Sequence, residues 1–220
     1  MSASAGPDVA AVIFDLDGVL VDTEPLHLAA TRALVAPAEL AVEEYQGFIG
    51  RGGFREWIEV TYGIDRARIE DRYSDLFYAA LKRAALAPLA GARELIEALA
   101  NRGLGLAVAS QSSRAWVEAT LRQAELSAEL PLIVTAGEAG RDKPAPDVYL
   151  RAADLLAVTP ERCIAVEDSV HGVASASAAG MWVVQTTQAS FSPARQPGAH
   201  ALIASLHDFD LGWLDGASVG

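Results

Sequence analysis

Short, continuous apolar segments alternate along the chain with segments in which apolar residues recur at helical spacing. Such short apolar segments are typical of strands that are buried on both faces of a parallel sheet. Between them, positions such as Ala92, Leu95 and Leu99 define one face of a helix. The alternation predicts an α/β fold with a Rossmann-like, mostly parallel sheet covered on both sides. The strand candidates are residues 9–14, 104–109, 132–135, 163–166 and 182–186, with a weaker one at 201–204.

One long segment interrupts this alternation directly after the first strand. Residues 24–86 contain no convincing strand and carry helical stripes that include Leu26, Ala30 and Leu34. Connections between elements usually have about 4–6 residues, so a segment of this length predicts a separate domain. We therefore expect a core domain formed by residues 1–23 and 87–220, with a small α-helical domain of residues 24–86 inserted into it.

Composition and charge narrow the range of partners. The chain has 220 residues, 51% of them hydrophobic, which is enough for a substantial core. Its 29 acidic residues outnumber 17 lysines and arginines, and the net charge of −12 predicts that no nucleic acid is bound. Cys163 is the single cysteine and cannot form an internal disulfide, which favours a reducing compartment.

Neither a signal sequence nor a membrane span is predicted. The N-terminus has no basic segment, and the apolar residues 9–14 are too few for the hydrophobic part of a signal sequence. The longest stretch without Asp, Glu, Lys or Arg, residues 169–194, contains polar residues such as His171 and Gln185 and cannot span a bilayer. We expect a cytoplasmic monomer that has no membrane partner.

The first predicted strand ends in a pair of carboxylates, Asp15 and Asp17, followed by Gly18. Open α/β sheets bind their ligands at the carboxyl ends of strands, which is where this pair lies. Two carboxylates so close together in an apolar setting need a cation, a proton or water between them. The alternative is that both are ordinary solvated loop residues. The residues at the other strand ends distinguish between these two interpretations.

Polar residues also follow three later strands. Ser110 ends the second strand, where a hydroxyl can bind phosphate or simply cap the next helix. Lys143 precedes Pro144 and is either an immobilised phosphate ligand or a surface lysine. Glu167 and Asp168 follow the fourth strand, where Asp168 can alternatively cap a helix. Carboxylates, a hydroxyl and an ammonium group at successive strand ends together indicate a phosphoryl-transfer site with a hard divalent cation.

Taken in order, these residues resemble the motifs of the haloacid dehalogenase superfamily, in the subgroup that carries a small helical cap after the first motif. The resemblance covers nearly the whole chain and implies the fold of that superfamily, with residues 24–86 as the cap domain. Phe14-Asp15-Leu16-Asp17-Gly18-Val19-Leu20-Val21-Asp22-Thr23 is similar to the first motif, Ser110 to the second, Lys143 to the third and Glu167-Asp168-Ser169 to the fourth.

The resemblance implies a role for each of these residues. Asp15 would attack the substrate phosphorus and become an aspartyl phosphate, and Asp17 would serve as general acid and base. Ser110 and Lys143 would hold the phosphoryl oxygens. Mg²⁺ is the implied cofactor, and its implied ligands are Asp15, Asp17 through its backbone carbonyl, Glu167 and Asp168.

The presence of Asp17 implies a phosphotransferase rather than a dehalogenase. The expected function is therefore a Mg²⁺-dependent phosphatase whose substrate is a small phosphorylated metabolite such as a sugar phosphate. Two candidates for contacting the substrate lie in the inserted helical segment, Arg51 and His27. The alternative is a solvated turn for Arg51 and a solvated helix position for His27. The expected substrate-binding residues are Ser110, Gln111, Arg114, Lys143, Arg51 and His27.

Two other functions remain open on the sequence. β-Phosphoglucomutase shares the motifs, and His27 stands where that enzyme has a hinge histidine. However, Ile49 and Gly53 occupy the places of the lysine and the arginine in its cap signature. A receiver-type signalling module also accepts phosphate on an aspartate, but it has no inserted helical domain and does not carry its phosphoacceptor on the first strand.

Overall fold

The chain is described by a computed structural model over residues 8–48, 54–190 and 194–215, and it folds into two compact units. The core unit comprises the described residues up to Asp22 and from Ala87 onwards, and the helical unit comprises those within Thr23–Leu86. The helical unit thus begins one residue before the segment that the hydrophobic pattern singles out.

The core unit contains one parallel sheet of six strands, which confirms the predicted fold class. All six predicted strands are present, including the weak one near residue 201. They are arranged in the order β3-β2-β1-β4-β5-β6, and every neighbouring pair is parallel. The strands are β1 (Ala11–Phe14), β2 (Gly105–Ser110), β3 (Ile133–Thr135), β4 (Cys163–Glu167), β5 (Trp182–Thr186) and β6 (Ala201–Ile203).

The central strand β1 brings three chain segments side by side. Its last residue, Phe14, lies opposite Val108 of β2 and Val166 of β4. The chain extends the sheet from β1 to β2 and β3 on one side, and then returns to β4, β5 and β6 on the other. The sheet therefore has a topological switch point between β1 and β4, and open α/β sheets bind ligands in the crevice at such a point.

The helical unit has an apolar core of its own. Its described helices are α1 (Glu24–Val35), α2 (Val42–Phe48), α3 (Phe54–Tyr62) and α4 (Arg66–Arg83). Helix α4 begins at a favoured N-cap, because the Asp65 carboxylate accepts a hydrogen bond from the backbone N–H of Arg68 at 2.9 Å. The helices bury a cluster formed by Leu34, Val35, Leu40, Tyr45, Ile58, Ile64 and Ile69.

The helices of the core unit pack against the sheet. They are α5 (Ala92–Asn101), α6 (Arg114–Gln123), α7 (Ala136–Ala139), α8 (Asp147–Leu155) and α9 (Val170–Ala178). The face of α5 that the sequence pattern predicts is buried. Val148 of α8 and Val173 and Ala176 of α9 join one apolar cluster with the strands. None of the helices in the described ranges has both the length and the apolar character that crossing a membrane requires.

Two glycines with positive φ offer a matched test of the packing where the chain re-enters the core unit. Gly91 (φ +83°) precedes α5, and a Cβ atom there would lie 2.4 Å from the backbone nitrogen of His207. Gly103 (φ +74°) has no atom within 4 Å of such a Cβ. We expect Gly103→Ala to lower the free energy of unfolding by roughly 1 kcal/mol through backbone strain, and Gly91→Ala by about 1–3 kcal/mol more through overpacking. Urea denaturation measures both, and equal losses would contradict the packing described here.

Candidate active site

Three carboxyl groups from two strand ends meet at the switch point of the sheet. Asp15 follows β1, Glu167 is the last residue of β4, and Asp168 comes next. Their ligand oxygens all lie within 4.8 Å of one another. Asp15 and Glu167 are buried and Asp168 is half-buried. The structure thus brings together the residues that the sequence analysis expected to share one edge of the sheet.

Lys143 is buried in the middle of this acidic group, and only 5% of its surface is exposed. Its ammonium group donates hydrogen bonds to Asp15 Oδ1 at 2.7 Å, to Glu167 Oε1 at 2.6 Å and to the carbonyl oxygen of Ala109 at 3.0 Å. The hydroxyl of Tyr149 lies 3.4 Å from the same ammonium group, so Lys143 is surrounded by oxygen atoms. The alternative that Lys143 is a surface lysine is wrong.

Glu167 is held in place from both sides of its carboxylate. Oε1 accepts from Lys143 and from the hydroxyl of Tyr149 at 2.8 Å. Oε2 accepts from the backbone N–H groups of Asp168 and Ser169 at 3.0 and 3.2 Å, and from the Ser169 hydroxyl at 3.2 Å. Gly172 of α9 lies directly against this carboxylate, because a Cβ atom there would overlap it. Protein donors therefore bind both oxygens and make Glu167 the fixed counter-ion of Lys143.

The pKa values in the site reflect burial first and an excess of negative charge second. Burial raises the pKa of Asp15 to about 7, against the attraction of Lys143 and with a contribution from Glu167 and Asp17. Burial also raises the pKa of Asp168 well above its ordinary value, and the charges of Glu167 and Asp15 add to the effect. Although burial opposes the charged form of Lys143, Asp15 and Glu167 hold its pKa above the ordinary value. Lys143 alone therefore does not neutralise the group.

Asp17 lies in the tight turn that follows β1. The backbone N–H of Gly18 donates to the carbonyl of Val21 at 2.9 Å, and Gly18 adopts a φ of +82°. A Cβ atom on Gly18 would lie 2.4 Å from Asp168 Oδ2, so glycine lets the turn approach that carboxylate. The Asp17 side chain is half-buried, and its Oδ2 accepts a hydrogen bond from the Ser112 hydroxyl at 3.0 Å.

The serines near the strand ends divide into two groups. Ser110 is fully buried, and its hydroxyl accepts from the backbone N–H of Ser112 at 3.0 Å, inside the turn after β2. Ser113 is the residue that caps α6, since it accepts from the backbone N–H of Trp116. Ser169 caps α9 by accepting from Gly172 at 3.0 Å. The helix-cap alternatives for Ser110 and Asp168 are therefore wrong, because neighbouring serines make those caps.

The remaining residues that the sequence analysis expected to bind substrate have other surroundings. The side chain of Gln111 donates to the backbone carbonyl of Lys143 at 3.4 Å. Arg114 binds the carboxylate of Glu138 at 2.8 Å and the carbonyl of Ile133 at 2.8 Å. The hydrogen bond from Arg114 is the main reason that the pKa of Glu138 falls to about 2. The guanidinium of Arg114 thus has a structural partner at the start of α7.

Two expected residues belong to the helical unit or lie outside the described chain. His27 of α1 has its Nδ1 atom 2.8 Å from the hydroxyl of Tyr73 of α4, and the two rings are stacked. This contact contradicts the alternative of a simply solvated helix histidine. Arg51 lies outside the described residues, as do Ile49 and Gly53, so the cap-signature comparison has no structural counterpart.

Sequence reasoning missed the part that Tyr149 and Ser112 play in the site. Tyr149 stands in the buried stripe of α8 beside Val148, so its position in the sequence predicts only a core residue. A serine at the position of Ser112, just before a helix, is in sequence terms most often a helix cap. The sequence signal for Tyr149 is a hydroxyl-bearing residue six positions after Lys143.

A family model described as haloacid dehalogenase-like hydrolase matches residues 9–180. The chain belongs to this family. Protein CbbY of Rhodobacter capsulatus is 34% identical over 81% of this chain and 86% of its own length. Hexitol phosphatase A of Escherichia coli is 32% identical over 90% of each chain. The crystal structure of CbbY from Rhodobacter sphaeroides in complex with phosphate has a TM-score of 0.81 and 28% identity, covering 94% of this chain and 99% of that one.

A relative of different size is the chloroplastic protein SUPPRESSOR OF QUENCHING 1 of Arabidopsis thaliana. It is 35% identical over 79% of this chain, and the chain spans 17% of its length. The receiver-type alternative requires the strand order 2-1-3-4-5 of flavodoxin-like sheets. The observed order is 3-2-1-4-5-6, so fold and family agree in excluding that alternative.

Tyr149 allows a direct test of how tightly the site is built. Tyr149→Phe keeps the buried ring and removes the hydroxyl that donates to Glu167, so we expect unfolding free energy to fall by about 2 kcal/mol. Tyr62→Phe is the matched control, because the hydroxyl of Tyr62 donates to Glu44 at an exposed position and its loss should cost roughly 0–1 kcal/mol. Thermal unfolding of both variants measures the difference, and an equal effect would mean that Tyr149 does not support the site.

Proposed function

We propose that the protein is a Mg²⁺-dependent phosphatase of small phosphorylated metabolites, and that Asp15 forms an aspartyl phosphate. The observation that carries the proposal is the buried Asp15 carboxylate, paired with Lys143 and adjoining Asp168 at the switch point of the sheet. The relative named hexitol phosphatase A supports a phosphorylated sugar or sugar alcohol as the substrate class, and the structure of CbbY in complex with phosphate supports a phosphate-binding site.

The acidic group fits a hard divalent cation. Its ligand atoms are carboxylate oxygens. Burial, together with the neighbouring negative charges, raises the pKa of Asp15 and of Asp168, an effect that a bound cation would offset. Asp15, Asp168 and the backbone carbonyl of Asp17 would hold the cation, while Glu167, bound by Lys143 and Tyr149, would support it indirectly. When bound, Mg²⁺ supplies the charge that keeps these carboxylates ionised and draws charge from the phosphoryl oxygens.

The first half of the reaction transfers the phosphoryl group to the protein. A carboxylate oxygen of Asp15 attacks phosphorus while the bond between phosphorus and the ester oxygen breaks, and Asp17 gives its proton to the departing oxygen. Lys143, which contacts Asp15 Oδ1, stabilises the ionised nucleophile before the attack. Ser110, at the end of β2, would bind phosphoryl oxygens together with Lys143.

The second half releases inorganic phosphate. Asp17, now ionised, takes a proton from a water molecule, whose oxygen attacks phosphorus. The bond between phosphorus and Asp15 breaks, and both aspartates return to their starting forms. Asp17 thus acts first as acid and then as base.

Asp15 is the proposed nucleophile. Asp15→Asn should lower phosphate release from phosphorylated metabolites by at least about a thousandfold, because an amide oxygen is a far weaker nucleophile than a carboxylate. Asp142→Asn, a change of the same type at an exposed position next to Lys143, should leave the rate unchanged. Colorimetric phosphate release with a panel of metabolites measures both, and an active Asp15→Asn variant would overturn the assignment.

The proposed reaction requires a divalent cation. Treatment with EDTA should abolish phosphate release and added Mg²⁺ should restore it. Asp168→Asn should raise the Mg²⁺ concentration for half-maximal activity by at least about tenfold, because it removes one anionic ligand. The Asp142→Asn variant again serves as the control. Activity that persists in EDTA would contradict the cation site.

β-Glucose 1-phosphate distinguishes a phosphatase from a mutase in the same assay. Release of inorganic phosphate from this or another ester supports the proposal. Conversion of β-glucose 1-phosphate to glucose 6-phosphate with little free phosphate would instead identify a phosphomutase.

A further inference from the structure

A side-chain hydrogen bond joins the turn after β2 to the turn after β1. The hydroxyl of Ser112 donates to Asp17 Oδ2 at 3.0 Å. The two residues are 95 positions apart in the chain, and they meet because β1 and β2 are neighbouring parallel strands whose ends are in register. The contact lies entirely within the core unit, which also carries Asp15.

Both ends of this contact are anchored by backbone hydrogen bonds. On one side, the N–H of Ser112 donates to the hydroxyl of the fully buried Ser110 at 3.0 Å. On the other, the carbonyl of Leu16 accepts from the N–H of Leu20 at 3.0 Å, which closes the turn that contains Asp17. Ser112 has a short side chain on a fixed backbone segment, so its hydrogen bond restricts the rotation of the Asp17 carboxylate.

The role of Ser112 is separate from helix capping. The next residue, Ser113, caps α6 through its own hydroxyl. Removing the Ser112 hydroxyl therefore leaves the start of the helix intact, and removing that of Ser113 leaves the hydrogen bond to Asp17 intact. Of these two adjacent serines, Ser112 thus contacts Asp17 and Ser113 stabilises the start of α6.

We propose that Ser112 is a positioning residue that orients Asp17 for proton transfer to the leaving oxygen and from water. This inference rests on the proposed function and deepens it. Proton transfer needs the carboxyl group within hydrogen-bond distance of the reacting oxygen and correctly aligned, and a small misplacement of a catalytic group can cost a large factor in rate. A carboxylate fixed from within the core unit meets that requirement.

Departure of a poor leaving group is the step that depends most on the orientation of Asp17. Phenolate is a much stronger base than 4-nitrophenolate, so phenyl phosphate needs protonation by Asp17 more than 4-nitrophenyl phosphate does. The two esters share one ring and therefore make closely similar demands on binding. Because kcat/KM reports the steps up to phosphoenzyme formation, comparing the two esters isolates the effect on the general acid.

The experiment compares Ser112→Ala, Ser112→Thr and Ser113→Ala with the full-length wild-type protein in saturating Mg²⁺. Ser112→Ala should lower kcat/KM about tenfold for phenyl phosphate and no more than about twofold for 4-nitrophenyl phosphate. Ser112→Thr keeps a hydroxyl and should retain the wild-type ratio between the two esters. Ser113→Ala should lower the melting temperature and leave that ratio unchanged. Thermal unfolding of each variant establishes that it is folded.

The outcomes separate this inference from the proposed function. If Asp15→Asn is inactive and Ser112→Ala loses activity equally on both esters, or behaves like Ser113→Ala, the role of Ser112 is overturned and the phosphatase stands. If Ser112→Thr loses as much as Ser112→Ala, the hydroxyl is not what orients Asp17, and the inference also fails. If phosphate release survives Asp15→Asn, the proposed function itself is wrong.

Discussion

The site depends on the buried ion pairs that Lys143 makes with Asp15 and Glu167. These groups come from three segments that are far apart in the chain: Asp15 directly follows β1, Glu167 ends β4, and Lys143 lies between α7 and α8. Breaking a buried pair by removing one partner leaves an uncompensated charge, which costs about 3–5 kcal/mol in proteins. The same ammonium group therefore joins three distant segments of the chain. The stability of the core unit and the geometry of the proposed nucleophile both depend on this one side chain.

The surroundings of Glu167 explain how such a cluster is kept in one geometry. Tyr149 and the backbone of Ser169 donate to its carboxylate, and Gly172 leaves room for it against α9. Both carboxylate oxygens of Glu167 accept hydrogen bonds from protein donors, so this carboxylate does not need water to satisfy it. Because Glu167 cannot shift, Lys143 is held as well, and Asp15 is positioned through Lys143. Residues that do not touch the reacting atoms thus determine where those atoms lie.

Each of the two units has polar contacts of its own. The groups assigned to phosphoryl transfer, together with the contact between Ser112 and Asp17, lie within the core unit. The described part of the helical unit has its own buried cluster and its own polar contact between His27 and Tyr73. The printed contacts of the residues proposed for phosphoryl transfer are thus contacts within the core unit.

The hydrophobic pattern by itself determined the six strands, the inserted helical segment and the strand ends that Asp15 and Asp168 follow, because burial of a strand or helix face is recorded locally in the sequence. Only the tertiary structure decided the strand order, and with it which polar groups meet. Arg114 pairs with Glu138, and Ser112 with Asp17, because of how neighbouring elements align in space. Periodicity reports whether a position is buried. It does not report the partner, since a hydrogen bond between distant residues depends on the register and the packing of the elements that carry them.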